Sequence, residues 1–285
     1  MVIAVRDALP DELGLIAGRG SYPTTLAESA RVQGVRRLVT VAFEGETDKR
    51  LETLSDETTW IRVGQLGSML NALRDSGVKH TVMAGQLAPT KLFKVRMDKM
   101  MRDLLQDLPE RNAQTIFGAI GDRLSDIGIE LLPASVFMES AMPAPGPLSA
   151  RRPTESEQSD IELGVRVAKE TSGLDIGQTV VVKQGTILAV EAFEGTDAAI
   201  ERAAKLGGPG AVVIKMSKDQ HDMRFDIPVI GIKTIELLAR VQASALAVEA
   251  GRSIILEQAD VRILADKHAI AVISIDTSGQ EVADG

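Results

Sequence analysis

Residues 13–34 read LGLIAGRGSYPTTLAESARVQG. Leu13 to Ala17 is a short apolar run of the kind that forms a buried strand. Gly18-Arg19-Gly20 follows at once, Ser21 or Tyr22 stands where a helix cap belongs, and Pro23 suits a first helical turn. Strand, glycine turn and helix in succession open a doubly wound α/β domain whose helix N-terminus faces an anion. The third glycine of the G-x-G-x-x-G dinucleotide fingerprint is missing, and Pro23 stands near its place. The turn therefore has three readings: a dinucleotide loop, a general phosphate or nucleotide turn, and a purely structural turn.

Working outward, the alternation continues. Strands are predicted over 37–42, 59–63 and 80–84, and a last one begins at Glu130; helices are predicted over 67–76, 95–107 and 113–127. Strands separated by helical stretches imply parallel pairing, and ligands in such sheets sit beyond the carboxyl ends of the strands. Gly18, Gly20, Gln86 and Gly121-Asp122 are therefore expected along one edge. Residues 141–154, AMPAPGPLSARRPT, hold Pro143, Pro145, Pro147 and Pro153. Four of the eleven prolines so close together read as a stiff linker. The expected organisation is a Rossmann-like parallel-sheet domain over 1–140, the linker over 141–154, and a second α/β domain over 155–285 that carries the catalysis.

Composition narrows the function classes. At 285 residues there is room for two cores. A net charge of −8 argues against a nucleic-acid binder, since no basic excess is available along a duplex. The absence of cysteine removes disulfides, thiolate metal sites and cysteine nucleophiles. Neither a signal peptide nor an apolar run of about 20 residues is evident, so a soluble, intracellular protein is the expectation.

Chemistry concentrates in the second half. Ala211 to Ile214 reads as a buried strand, and Lys215, Lys218, Asp219, Gln220, His221, Asp222, Arg224 and Asp226 crowd in before Pro228. Three cations and three carboxylates between apolar runs are either a solvated loop or a site for a phosphate ester with a divalent metal. Upstream, 179–183 and 186–192 flank Gln184-Gly185 as a β-hairpin. The hairpin leads to Glu191 and Glu194, and then to Thr196 and Asp197 at the start of a helix over 198–206. Capping accounts for Thr196 and Asp197 but not for the two glutamates. Further on, a helix is expected over 234–247, a strand over 253–256, a helix over 260–268 and a strand over 269–275. His80, His221 and His268 are too scattered for a histidine zinc site.

The run from Val180 to Asp197, VVVKQGTILAVEAFEGTD, closely resembles the LpxI-type family of UDP-2,3-diacylglucosamine pyrophosphatases of lipid A biosynthesis. So does the run from Lys215 to Gly231, KMSKDQHDMRFDIPVIG, and GLIAGRG from Gly14 and AGQ from Ala84 match that family's first domain. The resemblance implies a metal-dependent hydrolase that splits the substrate diphosphate into UMP and 2,3-diacylglucosamine 1-phosphate (lipid X). It also implies a peripheral position on the cytoplasmic face of a Gram-negative inner membrane, with the substrate held between the halves. On that reading Asp226, Asp222 and Gln220 are the catalytic candidates. Gly18, Gly20, Gln86, Thr196, Asp197, Lys215, Lys218 and Arg224 contact the substrate, and Asp226, Asp222 and Glu191 hold Mg²⁺ or another divalent cation. Met97, Met100, Met101 and the 237–246 stretch are candidates for an acyl chamber, and the basic run of Lys91, Lys94, Arg96, Lys99 and Arg102 for a contact with anionic lipid. Two rival readings stay open: an NAD(P)-dependent oxidoreductase built on the Gly18 turn, and a non-catalytic nucleotide-sugar or lipid carrier.

Overall fold

β1 (Glu12–Ala17) is buried at every position after its first, as the central strand of a two-sided sheet must be. In the computed structural model the described residues are 9–86, 96–174, 176–217, 222, 224, 225 and 227–277, with the backbone alone at Ala113. They fall into two units: 1–139 together with 222–226, and 140–221 together with 227–285.

In the first unit, β1 is flanked by β2 (Arg37–Phe43) and β4 (His80–Ala84), with β3 (Glu57–Ile61) and β5 (Glu130–Leu131) outside them. All four pairings in the order β3-β2-β1-β4-β5 are parallel, as expected of a Rossmann-like domain. α1 (Tyr22–Val32) carries proline in its first turn and buries Tyr22, Leu26, Ala27 and Ala30. Tyr22 donates from its hydroxyl to the carbonyl of Ala134, and burial pushes its phenol pKa up. α2 (Leu51–Leu54) is a single turn. α3 (Leu66–Ser76) ends at Gly77 in the left-handed conformation, the expected cap. α3 shares one core with α4 (Lys99–Asp107) and α5 (Ala113–Asp126), in which Met69, Leu70, Leu73, Met101, Leu104, Ile116, Ile120 and Leu124 meet Ile16, Val39 and Val41 of the sheet.

The second unit is a mixed sheet in the order β6-β13-β11-β9-β7-β8. Its centre is parallel: β9 (Val212–Lys215), β11 (Ala245–Glu249) and β13 (Ala271–Ile275). β7 (Thr179–Lys183) and β8 (Thr186–Val190) form the expected hairpin, and β7 runs antiparallel to β9. Alternation sorts the side chains. Val180, Val182, Val212 and Ile214 pack on Ile161, Val165 and Ala168 of α6 (Glu155–Ser172). Val181, Val213, Leu246 and Val248 face Ile200 and Ala203 of α7 (Thr196–Gly207) and Ile235 and Leu238 of α8 (Ile232–Arg240). A short parallel pair, β10 (Val229–Ile230) with β12 (Ile254–Ile255), and α9 (Gln258–Lys267) complete the unit.

Two expectations change. The helix expected over 234–247 stops at Arg240, and Gln242 takes a left-handed backbone. Residues 245–249 are strand β11, because pairing on both sides with β9 and β13 outweighs the helix propensity of leucine, alanine and glutamate. The proline-rich stretch is also tied into a unit: β6 (Gly146–Pro147) is an antiparallel edge to β13, where proline is tolerated, and Ser149 Oγ accepts from Val272 N–H at 2.8 Å.

Candidate active site

The glycine turn after β1 makes a close backbone contact. Gly18 N–H donates to Ala84 O at 2.7 Å, Arg19 N–H to Gln86 O at 2.8 Å, and Gln86 N–H back to Arg19 O at 3.0 Å. The loops after β1 and β4 are thereby zipped together at the point where strand order reverses. A Cβ on Gly18 would lie 2.8 Å from Gln86 O; one on Gly85, whose φ is +90°, would lie 2.8 Å from Arg19 O. Gly18 and Gln86 are brought together as expected, but the N–H groups of Gly18 and Arg19 serve the protein's own carbonyls. Gly20 (φ +102°) stands in open space.

Arg224 and Phe225 rest on α5 within the first unit. Arg224 grips Asp222: Nε lies 2.8 Å from both carboxylate oxygens and Nη2 2.5 Å from Oδ2. Arg224 N–H also donates to Oδ1 at 3.0 Å. Hydrogen bonding from Arg224 holds the Asp222 carboxyl below the usual carboxylate range, and the same pair raises the guanidinium, with Asp122 adding to it. The guanidinium lies over Gly121, where a Cβ would come within 3.4 Å of Nη1. Phe225 packs on Phe117, with ring centroids 5.7 Å apart. Asp222, Arg224 and the Gly121-Asp122 turn of α5 therefore form one cluster, which local sequence did not reveal.

In the second unit a row of polar side chains is buried along the carboxyl edge of the parallel strands: Glu191, Thr179, Lys215, Ser217, Glu249 and Thr277. Glu191 accepts from Thr196 Oγ1 at 3.1 Å, and Thr196 lies 3.2 Å from Thr179 Oγ1. Lys215 is 5% exposed, with Nζ 3.3 Å from Val229 O. Glu194 has a different task. It accepts from Arg202 at 2.5 Å and from Ala192 N–H at 3.1 Å, contacts that lower its pKa and clamp the loop onto α7. Asp197 is exposed in the first turn of α7. Sequence reasoning missed Glu249, Ser217 and Thr277: the helix expected over 234–247 hid β11, which ends at Glu249, and nothing local marks Ser217 or Thr277 as its partners.

Asp226, Gln220 and Lys218 lie outside the described residues, as do Asp219 and His221. Among the described residues no group of three or more His, Asp or Glu side chains is arranged to hold a metal. Asp222 is clasped by Arg224, and Glu191 is engaged by Thr196. Of the three residues expected to hold the cation, Asp222 and Glu191 are therefore engaged by donors of the protein itself, and Asp226 lies outside the described residues.

Of the methionines proposed for an acyl chamber, Met101 is in the core and Met97 packs against it, whereas Met100 is exposed. Met100 borders an open recess of about 530 Å³ with Gly67, Ser68, Asn71, Leu104 and Arg123. Leu237, Leu238 and Leu246 belong to the core of the second unit. In the basic run, Lys99 pairs with Asp103 at 2.8 Å and Arg102 donates to Met97 O at 2.6 Å; Lys91 and Lys94 lie outside the described residues.

Fold and site define a two-unit α/β protein with a Rossmann-like first unit and a polar cluster in each, on α5 in the first and along the strand ends in the second. The chain belongs to the LpxI family: residues 12–141 match the LpxI N-terminal domain and residues 144–273 the LpxI C-terminal domain. The UDP-2,3-diacylglucosamine pyrophosphatase LpxI of Caulobacter vibrioides is 30% identical over 278 residues, covering 93% of this chain and 98% of that protein. Among solved structures, the biotin carboxylase domain of Hydrogenobacter thermophilus 2-oxoglutarate carboxylase is 16% identical with a TM-score of 0.28, over 68% of this chain and 40% of that one. The biotin carboxylase subunit of pyruvate carboxylase is 15% identical with a TM-score of 0.28, over 70% and 40%. Likeness that slight says nothing of ligand or chemistry.

Proposed function

We propose that this chain hydrolyses the diphosphate of UDP-2,3-diacylglucosamine, releasing UMP and 2,3-diacylglucosamine 1-phosphate (lipid X), in lipid A biosynthesis. The observation that carries the reading is the end-to-end match to a protein bearing that activity in its name, across both family domains. In the reaction water adds to one phosphorus and the bridging P–O bond breaks. Charge on the diphosphate oxygens calls for cations, and Lys215, Lys218 and Arg224 are the proposed partners, each charge-assisted bond contributing roughly 1.5–3 kcal/mol. For Arg224 this means exchanging Asp222 for phosphate, which releases the Asp222 carboxylate.

Asp226 is the proposed essential carboxylate, next to the stiff Ile227-Pro228 segment, and Gln220 is proposed to orient phosphate oxygens or the water. Thr196 and Asp197, at the start of α7, are proposed substrate contacts. Mg²⁺ is the proposed cation, with Asp226 as principal donor and Asp222 and Glu191 as further candidates; when bound it would polarise a phosphoryl oxygen. The reading places the enzyme at the cytoplasmic face of the inner membrane; among the described residues no helix is long and apolar enough to cross a membrane. The oxidoreductase reading gains no support, since the N–H groups of Gly18 and Arg19 are occupied by Ala84 and Gln86.

The test is UMP release from UDP-2,3-diacylglucosamine by purified protein, with Mg²⁺ or EDTA, beside Asp226→Ala. Metal-dependent release that disappears in the variant is the expected result. Tight substrate binding by the unmodified protein without UMP would leave a carrier and overturn the enzyme.

A further inference from the structure

Glu249 is 3% exposed and stands last in β11, directly after Val248, the partner of Lys215 in the parallel ladder. Its Oε2 accepts from Ser217 N–H at 3.1 Å and from the Ser217 hydroxyl, with Arg252 Nε at 3.9 Å. Its Oε1 accepts from Thr277 Oγ1 at 2.5 Å. Three donors converge on the two oxygens, which suits an acceptor-only group. An amide would turn its NH₂ toward one of those donors.

A buried carboxylate is a costly way to close a strand end, and an apolar side chain in the same volume is often neutral or stabilising. What Glu249 achieves is positional. Ser217 is the residue immediately before the 218–226 stretch that carries Lys218, Gln220, Asp222, Arg224 and Asp226. Both its backbone N–H and its hydroxyl are held by one oxygen of a side chain on the neighbouring strand. The departure of the chain from β9 is therefore fixed by a charged contact.

We infer that Glu249 is a positioning residue for the hydrolysis proposed above, acting through Ser217 to set where the reactive stretch leaves β9; the inference rests on that functional reading. Glu249 is buried with both oxygens engaged by Ser217 and Thr277, so its part is played through Ser217 rather than by contact with substrate. Its loss is therefore read in turnover more than in substrate affinity.

The experiment measures kcat and KM for UMP release in Glu249→Gln, Ser217→Ala and the double variant. Backbone hydrogen exchange is followed in each. The expected result is a kcat at least tenfold lower in Glu249→Gln with KM within threefold, and a fall in the same sense for Ser217→Ala. The double variant should be no slower than the more severe single, because both substitutions break one contact. An unchanged kcat in Glu249→Gln, a change confined to KM, or single effects that multiply would each overturn the inference. Should Glu249→Gln fail to fold, Ser217→Ala decides by itself: reduced kcat supports the inference and unchanged kcat overturns it. If the unmodified protein releases no UMP, the functional reading fails instead. Exchange at Ser217 then decides the contact, with a tenfold acceleration in Glu249→Gln expected and no change overturning it.

Discussion

Arg224 and Asp222, two residues apart in the chain, hold one another through a guanidinium fork seated over Gly121 of α5. The cation proposed to meet phosphate is thus neutralised and held in place by the Asp222 carboxylate. Lysine cannot reproduce the fork, so Arg224→Lys should lower kcat/KM for UMP release about tenfold or more. Asp222 lies below its usual range, so the pair's stabilising contribution is complete above about pH 4 and is lost as acid protonates the carboxyl. The deficit of Arg224→Lys should therefore be flat from about pH 5 to about pH 9. A deficit confined to one limb of the pH–rate profile would contradict this.

Phe117 and Phe225 form the apolar half of the same seat. Aromatic pairs contribute roughly 0.5–1.5 kcal/mol beyond area burial. Phe117→Ala is expected to lower stability by roughly 1 kcal/mol or more in urea unfolding. It should also slow UMP release severalfold, because Phe225 adjoins Asp226. Full activity in a folded Phe117→Ala protein would show that the seat is not needed.

The zipped loops after β1 and β4 distinguish the glycines. Gly85→Ala places a Cβ 2.8 Å from Arg19 O at a φ of +90°, so a loss of roughly 2 kcal/mol or more is expected. Gly20→Ala meets nothing within 4 Å and bears only the backbone strain, roughly 1–2 kcal/mol. Urea unfolding of the two variants checks the order, and neither should gain or lose NADH binding.

Glu157 closes the N-terminus of α6 in a capping box with Thr154 and pairs with Arg151 at 2.7 Å. Burial opposes its charge, yet the bonds from Arg151 and Thr154 bring its pKa down to about 2 from 4.5. The folded pKa is the lower, so the contribution is complete above about pH 4.5 and lost as pH falls toward about 2. Its size is up to roughly 3 kcal/mol. Glu157→Gln should be markedly less stable than the unmodified protein in urea at neutral pH, and the gap should narrow near pH 2.

Much of the fold could be read locally. β1, β2, β4 and β9 are short apolar runs punctuated by glycine or charge, and the 184–185 hairpin carries its turn residues in the sequence. β11 could not be read this way, because ALAVE suits a helix as well as a strand, and it became a strand only between β9 and β13. The same ambiguity hid Glu249: just past the expected helix it would be a solvated carboxylate, whereas at the end of β11 it is desolvated and bonded to Ser217 and Thr277.

Sequence by itself determined the alternation of strands and helices, the dense polar stretch after β9 and the family, since all three rest on residues close together in the chain. Tertiary structure alone decided that Gly18 serves a backbone contact with Gln86, that Arg224 lies over Gly121, and that Glu249 is buried against Ser217. Each of these joins residues far apart in sequence or depends on how completely water is excluded. Strand pairing and desolvation are properties of the folded whole, and no local pattern encodes them.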